Sequence, residues 1–306
     1  MPGARALTAP LPGSVVTAGT FDGVHLGHCA LVERAVERAR ALGLPAVAYT
    51  FDPHPAKVIA AARAPAVLIS IEERVRLLGE RGIELVVVEP FDPPFSLISA
   101  DEWIEQYLVR QLAPRHVVVG FNFFYGHRRG GSPAHLVEAG RRLGFTVDVM
   151  GPVELEGAVV SSSRVRELIE RGEVERAAVL LGRPFALTGR VETGDRRGRT
   201  IGFPTANLAP DAEVLPAPGV YAGIATLEDG GRFRAVINIG ARPTFEGSGV
   251  RVEAHLLGFD GDLYGRPLRL ELAHRLREER RFDGVDALVA QIRRDIDEAQ
   301  RRVAVT

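Results

Sequence analysis

The residues best suited to chemistry in the first half of the chain lie in Gly19-Thr20-Phe21-Asp22-Gly23-Val24-His25-Leu26-Gly27-His28. A short apolar run, Ser14 to Ala18, precedes them and reads as a strand. Leu31 to Arg40 follows and reads as a helix. His25 and His28 therefore fall, with Gly19, Gly23 and Gly27, where a strand hands over to a helix N-terminus. Unpaired backbone N–H groups and the positive end of the helix dipole favour anions there. Glycine lets the backbone approach a phosphate closely, and imidazoles can donate hydrogen bonds to its oxygens. The chemistry expected is the handling of nucleotide phosphates.

Other groups of polar residues recur at comparable places. Asp52-Pro53-His54-Pro55 follows a second apolar run, where a Pro-rich turn with a capping aspartate is the plainer account. Asn122 follows a fourth run, set among Phe121, Phe123, Phe124 and Tyr125; a buried amide there would need partners. Ser161-Ser162-Ser163-Arg164-Val165-Arg166-Glu167 opens a helix. Serines are good caps, but capping does not call for Arg164 and Arg166. Further on, Gly189, Gly194, Gly198 and Gly202 fall within fourteen residues with arginines between them. That is a plausible phosphate cradle, although surface turns have the same composition. Glu253 sits on an alternating strand, and Arg277 to Phe282 reads as a solvated charge run.

These groups need elements to hold them. Strands are expected at Ser14–Thr20, Pro45–Phe51, Leu85–Glu89, His116–Gly120 and Thr146–Met150. Helices are expected at Gly27–Leu42, Ile71–Arg81, Ala100–Gln111 and Pro133–Leu143, each closed by a Gly or Pro. This alternation implies a doubly wound parallel sheet of Rossmann-like α/β type, whose ligands bind at the C-terminal strand ends. The opening motif, Asp52–Pro55 and Asn122 all fall at such ends. After Arg183-Pro184 the pattern changes to short strands at Phe185–Val191, Val220–Leu227, Arg232–Ile239, Val252–Phe259 and Pro267–Arg275. A small antiparallel β-barrel is expected, with a terminal helix striped by Val285, Leu288, Val289, Ile292, Ile296, Ala299 and Val303. The domains expected are 1–183 and 184–306.

Composition narrows the class. The chain has 306 residues, 46% of them hydrophobic and 25% charged, with a net charge of −1. That balance fits a globular protein and gives no general attraction to nucleic acid or to an anionic membrane. One cysteine, Cys29, excludes an intrachain disulfide and a cysteine metal cluster; its place just inside the first helix reads as core. No stretch has the length and apolarity of a membrane span or the layout of a signal peptide. A soluble cytoplasmic enzyme acting on small molecules is expected, as a monomer or weak homo-oligomer.

The His-x-Gly-His run at 25–28, in its longer form from Gly19 to His28, resembles the adenylyltransferase module of bacterial bifunctional riboflavin kinase/FAD synthetases, within the nucleotidylyltransferase superfamily. Ser162 to Arg166 is similar to the Ser-Ser-Thr-x-Ile-Arg signature of that superfamily, with Ser163 in the threonine place. Phe203-Pro204-Thr205-Ala206-Asn207 matches the Pro-Thr-Ala-Asn signature of riboflavin kinases. Asn238–Phe245 and Val252–Gly265 resemble further stretches of the family, and the resemblance runs from about Val15 to Gln300.

The resemblance implies two reactions: riboflavin and ATP to FMN and ADP in the second domain, then FMN and ATP to FAD and diphosphate in the first. It gives Gly19, Phe21, Asp22, Gly23, His25, Gly27, His28, Ser162 and Arg166 to the ATP phosphates of adenylyl transfer, and Asp52, His54 and Asn122 to the flavin. For the kinase it gives Gly194, Gly198, Arg199, Gly202, Pro204, Thr205, Asn207 and Arg277 to ATP or flavin. Thr205 and Asn207 would hold Mg²⁺, and Glu253 would act as general base. Two other readings stay open at this point: a nucleotidylyltransferase for another phosphate acceptor, and a protein that stores or senses flavin without turnover.

Overall fold

The computed structural model describes residues 3–4, 7, 9–193, 201–244 and 247–305, with backbone alone at 241–244 and 247–249. The chain divides into two compact units: Met1–Val67 with Ile71–Ser161, and Leu68–Ser70 with Ser162–Thr306.

In the first unit, β1 (Ser14–Ala18), β2 (Ala46–Asp52), β3 (Leu85–Pro90), β4 (Pro114–Gly120) and β5 (Thr146–Met150) form one sheet in the order β3-β2-β1-β4-β5. Every pairing is parallel. The central strands are buried, β1 completely and β2 and β4 at most positions, as a sheet covered on both faces requires, whereas the edge strand β5 is half-exposed. The connections carry α1 (Leu26–Leu42), α2 (Pro55–Ile59), α3 (Ile71–Glu80), α4 (Pro93–Ser96), α5 (Ala100–Glu102) and α6 (Pro133–Leu143). The strand order reverses between β1 and β4, so the crevice at their C-terminal ends is the switch point where such sheets bind ligands. Glu154–Leu155 (β6) and Ala158–Val159 (β7) make a small hairpin.

The helix expected over Ala100–Gln111 is instead α-helical only to Glu102 and takes the wider π form from Trp103 to Leu112. Its buried residues are Trp103, Ile104, Tyr107, Leu108 and Leu112. Steps of four and five residues stay on one face when the bonds run i to i+5. Trp103 and Tyr107 thereby join the core around Tyr49 and Phe51.

In the second unit, α7 (Ser162–Glu170) and α8 (Val174–Leu181) lead into a closed barrel of β8 (Phe185–Glu192), β9 (Ala206–Pro210), β10 (Gly219–Leu227), β11 (Arg232–Thr244), β12 (Gly247–Leu256) and β13 (Pro267–Arg277), in the order β10-β11-β12-β9-β8-β13. The pairings are antiparallel. β9 has no counterpart among the expected strands. Along β12, Val252, Ala254 and Leu256 are buried while Arg251, Glu253 and His255 are half-exposed, the period-2 alternation of a strand with one face in a core. Gly223 lets β10 and β13 close, since a Cβ there would stand 1.7 Å from Glu271 O. The terminal helix α9 (Val285–Arg302) covers part of the barrel wall, with Ala299 and Val303 against Ala222 and Ile224. Its buried line also carries two polar residues, Gln291 and Asp295.

Candidate active sites

The turn from β1 into α1 is tightly constrained. His25 is the N-cap of α1, and its Nδ1 accepts the His28 amide at 3.3 Å. That use of Nδ1 places the proton of the neutral ring on Nε2, the form that can donate to a phosphate oxygen. The two rings stack at 3.7 Å between centroids and 16° between planes, with Phe21 edge-on to His28 at 5.4 Å. A Cβ on Gly27 would stand 3.1 Å from His25 Cε1, so glycine there leaves the ring its place.

Three residues of this turn have positive φ: Phe21 at 48°, Gly23 at 82° and Val24 at 41°. Gly23 takes that region freely, whereas left-handed conformations at Phe21 and at β-branched Val24 cost about 1–3 kcal/mol each. Strain of this kind persists only where the surroundings impose it. Phe21 and Val24 are fully buried, and Asp22, between them, is only 1% exposed. Cys29 is buried just inside α1, in keeping with a core role.

The neighbouring strand ends carry the other residues expected in this site. Asp52 ends β2 and is exposed. His54 caps α2, its Nδ1 accepting the Ala56 amide at 3.2 Å. Asn122 follows β4 and is exposed, so burial does not oblige its amide to pair. Its Oδ1 lies over Gly120, 3.2 Å from where a Cβ would stand. Phe123 and Tyr125 pack into or against the core, whereas Phe121 and Phe124 are exposed, with the Arg129 guanidinium 4.3 Å over the Phe124 ring. Ser162 opens α7 and Arg166 lies one turn into it, both half-buried; α7 belongs to the second unit.

In the barrel, the register collects residues far apart in sequence. Glu253 on β12 stands opposite Asn207 on β9 and opposite Asn238 on β11. The row continues to Glu192 beyond Asn207, and to Val220 and Arg277 beyond Asn238. Directly opposed residues share a face, and here it is the outer face of the wall. A cavity of about 360 Å³ opens on that face. Phe203, Phe282, Leu288 and Ile292 supply apolar walls; Thr205, Asn238, Glu253 and Arg251 supply polar ones. A second cavity of about 690 Å³ shares Thr205 with the first and is lined by Pro204, Asp260, Asp262 and Tyr264 among others. His255 Nδ1 and the Pro204 carbonyl are 2.8 Å apart, and Phe203 meets the His255 ring edge-on at 5.7 Å.

Arg277 borders the first cavity, but its guanidinium is engaged. Nε and Nη2 donate to the Asp295 carboxylate at 2.8–3.1 Å, and Nη1 donates to Glu278 O. Gln291 Nε2 donates to Asp295 at 2.6 Å, and Arg280 donates to Gln291. Gly202 is exposed and precedes this wall. Gly194, Gly198 and Arg199 lie outside the described residues.

Among the described residues no group of three or more His, Cys, Asp or Glu side chains is placed to hold a metal ion. The Thr205 hydroxyl and the Asn207 amide are neutral oxygen donors two residues apart, Thr205 just before β9 and Asn207 on it. They fit a hard cation that takes its remaining ligands from substrate phosphates.

Two features lie beyond the residues chosen by sequence. Asn238 was within reach, because it sits in a quoted stretch with the alternation of a strand. Arg74 sits on the apolar face of α3, at helical spacing from buried Leu77 and Leu78, and is 2% exposed. A charge on that face was the available signal.

A five-stranded 3-2-1-4-5 parallel sheet and a closed six-stranded barrel, carried in one chain, define a two-domain nucleotide transferase. The family model described as FAD synthetase matches residues 8–164, and the one described as riboflavin kinase matches residues 181–303. The bifunctional riboflavin kinase/FMN adenylyltransferase of Escherichia coli K12 is 40% identical over 288 residues, covering 94% of this chain and 92% of that one. The Bacillus subtilis protein of the same description is 36% identical over 294 residues, covering 94% and 92%. A solved structure from Streptococcus pneumoniae, described as a macrolide-efflux protein, matches with a TM-score of 0.86 at 32% identity over 99% of both chains. No helix among the described residues is long and apolar enough to cross a membrane. The chain belongs to the bifunctional riboflavin kinase/FMN adenylyltransferase family.

Proposed function

We propose that this protein makes FMN from riboflavin and ATP, and FAD from FMN and a second ATP, in two separate sites. The observation that carries the reading is the pairing of two unrelated constellations in separate units. One is the His25/His28 turn at a helix N-terminus; the other is the Asn207–Glu253–Asn238 row at the apolar-walled cavity. The division of labour is 1–183 for adenylyl transfer and 184–306 for the kinase.

In the kinase unit the flavin ring occupies the apolar-walled cavity and the nucleotide the more polar one, with Thr205 between them. Glu253 takes the proton of the riboflavin 5′-hydroxyl, whose oxygen attacks the γ-phosphorus as ADP leaves. Mg²⁺ held by Thr205 and Asn207 would neutralise charge on the phosphates. In the other unit, His25, His28 and the start of α1 hold the ATP phosphates, with Asp52, His54 and Asn122 on the flavin side. The FMN phosphate attacks the α-phosphorus, diphosphate leaves, and positioning with charge stabilisation does the work. The enzyme acts in the cytoplasm on small molecules, as a monomer or weak homo-oligomer.

Incubation with riboflavin, ATP and Mg²⁺, followed by chromatography of the flavins, tests the reading. FMN should appear first and FAD after it. FMN retained without turnover would make the protein a flavin store or sensor. FMN formed without FAD would leave the first unit an adenylyl- or cytidylyltransferase for another acceptor.

A further inference from the structure

The strained turn before α1 rests on a buried cation that belongs to neither the histidine motif nor the phosphate-binding helix start. Arg74 projects from α3 into the space beneath the ends of β1 and β2. Its Nη1 donates to Phe51 O at 3.0 Å and lies 3.4 Å from Thr50 Oγ1. Thr50 Oγ1 in turn donates to Thr20 O at 3.1 Å, inside the β1 turn. The guanidinium is thus linked to both loops that carry residues of the adenylyl-transfer site.

Two carboxylates of those loops favour its charge. Asp22 and Asp52 are the carboxylates whose fields favour the Arg74 cation, against the burial that opposes it. Asp22 is itself buried, between the left-handed residues Phe21 and Val24. Among the described residues Arg74 Nε has no hydrogen-bond partner, an unusual state for a buried guanidinium. A group kept in that state is paying for something other than its own hydrogen bonding.

We propose that Arg74 is a positioning residue for FAD formation: it holds Phe51 O and Thr50, and through the Thr50 hydroxyl the Thr20 carbonyl, so that the turn carrying His25 and His28 meets the ATP phosphates in register with the Asp52–His54 loop. This rests on the adenylyl-transfer reading of the first unit. Arg74 touches no substrate; it sets the backbone from which the histidines reach. The loss on removing it should therefore appear in the chemical step more than in binding.

The test uses the full chain and measures FAD formation from supplied FMN, FMN formation from riboflavin, and thermal unfolding. Arg74→Gln should lower kcat for FAD formation about 100-fold, the scale of a displacement near 1 Å at a reacting centre. KM for ATP should change far less, and FMN formation should stay at the wild-type rate. Arg74→Lys, which keeps the charge, should recover most of the loss. Thr50→Val combined with Arg74→Gln should cost clearly less than the product of the two single effects. The inference is overturned if Arg74→Gln folds and forms FAD at the wild-type rate, if Arg74→Lys is no better than Arg74→Gln, or if the two single effects simply multiply. Should Arg74→Gln fail to fold, the Lys variant and Thr50→Val decide: Arg74→Lys with wild-type FAD formation while Thr50→Val loses it supports the inference, and equal loss in both opposes it. Wild-type protein that forms no FAD would instead sink the reading of the site itself.

Discussion

Glu253 faces Asn207 on one side and Asn238 on the other, in register across three strands of the barrel. A carboxylate between two amides on a half-exposed face, at the edge of a cavity, is arranged for contact with a ligand. It is poorly placed to stabilise a core. Arg251 Nη1 lies 3.5 Å from Glu253 Oε1 on the same strand face, a long and partly solvated pair that contributes little to stability.

Glu253→Gln keeps the shape and removes the proposed base. FMN formation should fall by about 10²–10⁴-fold, the usual contribution of a positioned general base. FAD formation from supplied FMN should not change, because the two reactions occupy different units. Steady-state rates for each reaction, measured separately on the same preparation, check this. Equal losses in both would point to misfolding and would remove the independence of the sites.

Much of this arrangement was legible in the sequence, and the parts that were not share a cause. Alternation and periodicity are local signals, and they gave the parallel sheet, the barrel and the histidine turn. β9 was missed because Pro204 and its polar neighbours read as a loop, and only pairing with β8 and β12 makes Ala206–Pro210 a strand. Arg74, Gln291 and Asp295 were passed over because apolar stripes are found by looking for apolar residues. A polar side chain buried on such a stripe is stabilised by partners distant in sequence: Phe51 and Thr50 for Arg74, Arg277 for Asp295. The register that puts Asn207 beside Glu253 likewise depends on closure of the barrel.

His25 caps α1 and is proposed to hold phosphate, and the two roles can be separated. Its Nδ1 caps α1 through the His28 amide, and removing a cap destabilises by about 0.5–2 kcal/mol. His25→Ala should lose that stability together with FAD formation. Asn is also a good cap, so His25→Asn should melt near the wild type and still form little FAD. Thermal unfolding and the FAD assay on both variants make the comparison. Recovery of FAD formation in the Asn variant would reduce His25 to a cap.

Acid should weaken the first unit through Asp148 and His116. Burial pushes the Asp148 carboxyl up, but the guanidinium groups of Arg38 and Arg34 outweigh it and hold it at about 2, below the ordinary 3.8. A depressed carboxyl stabilises above its ordinary value and loses that contribution as pH falls toward its folded value. His116 is pushed down by burial, with Asp148 opposing. The unfolded chain therefore takes up the histidine proton first, and stability is also lost as pH falls below the ordinary 6.5. Allowing for solvent screening, Asp148→Asn should lower stability at neutral pH by about 1–2 kcal/mol. The difference from wild type should shrink as pH drops from 3.8 toward about 2. Urea unfolding across that range reads it, and a difference independent of pH would mean that Asp148 acts by packing alone.

Asp295 fixes one wall of the kinase cavity. It is 6% exposed, receives the Arg277 guanidinium at two atoms and the Gln291 amide at a third contact, and so ties α9 to the end of β13. Removing one member of a buried pair typically costs 3–5 kcal/mol. Arg277 is a fifth exposed, so Asp295→Ala should cost about 3 kcal/mol, at the lower end of that range. Leu288 and Ile292 stand on the same helix and line the cavity, and loosening α9 withdraws apolar surface from a ligand held there. KM for riboflavin should therefore rise by more than kcat for FMN formation falls, because the lost contacts are made in the ground state as well as in the transition state. FAD formation from supplied FMN should be untouched. Kinetics for both reactions, with riboflavin affinity measured directly by fluorescence quenching, give the answer. A fall in kcat at constant KM would instead show that the network acts on the reacting groups around Glu253.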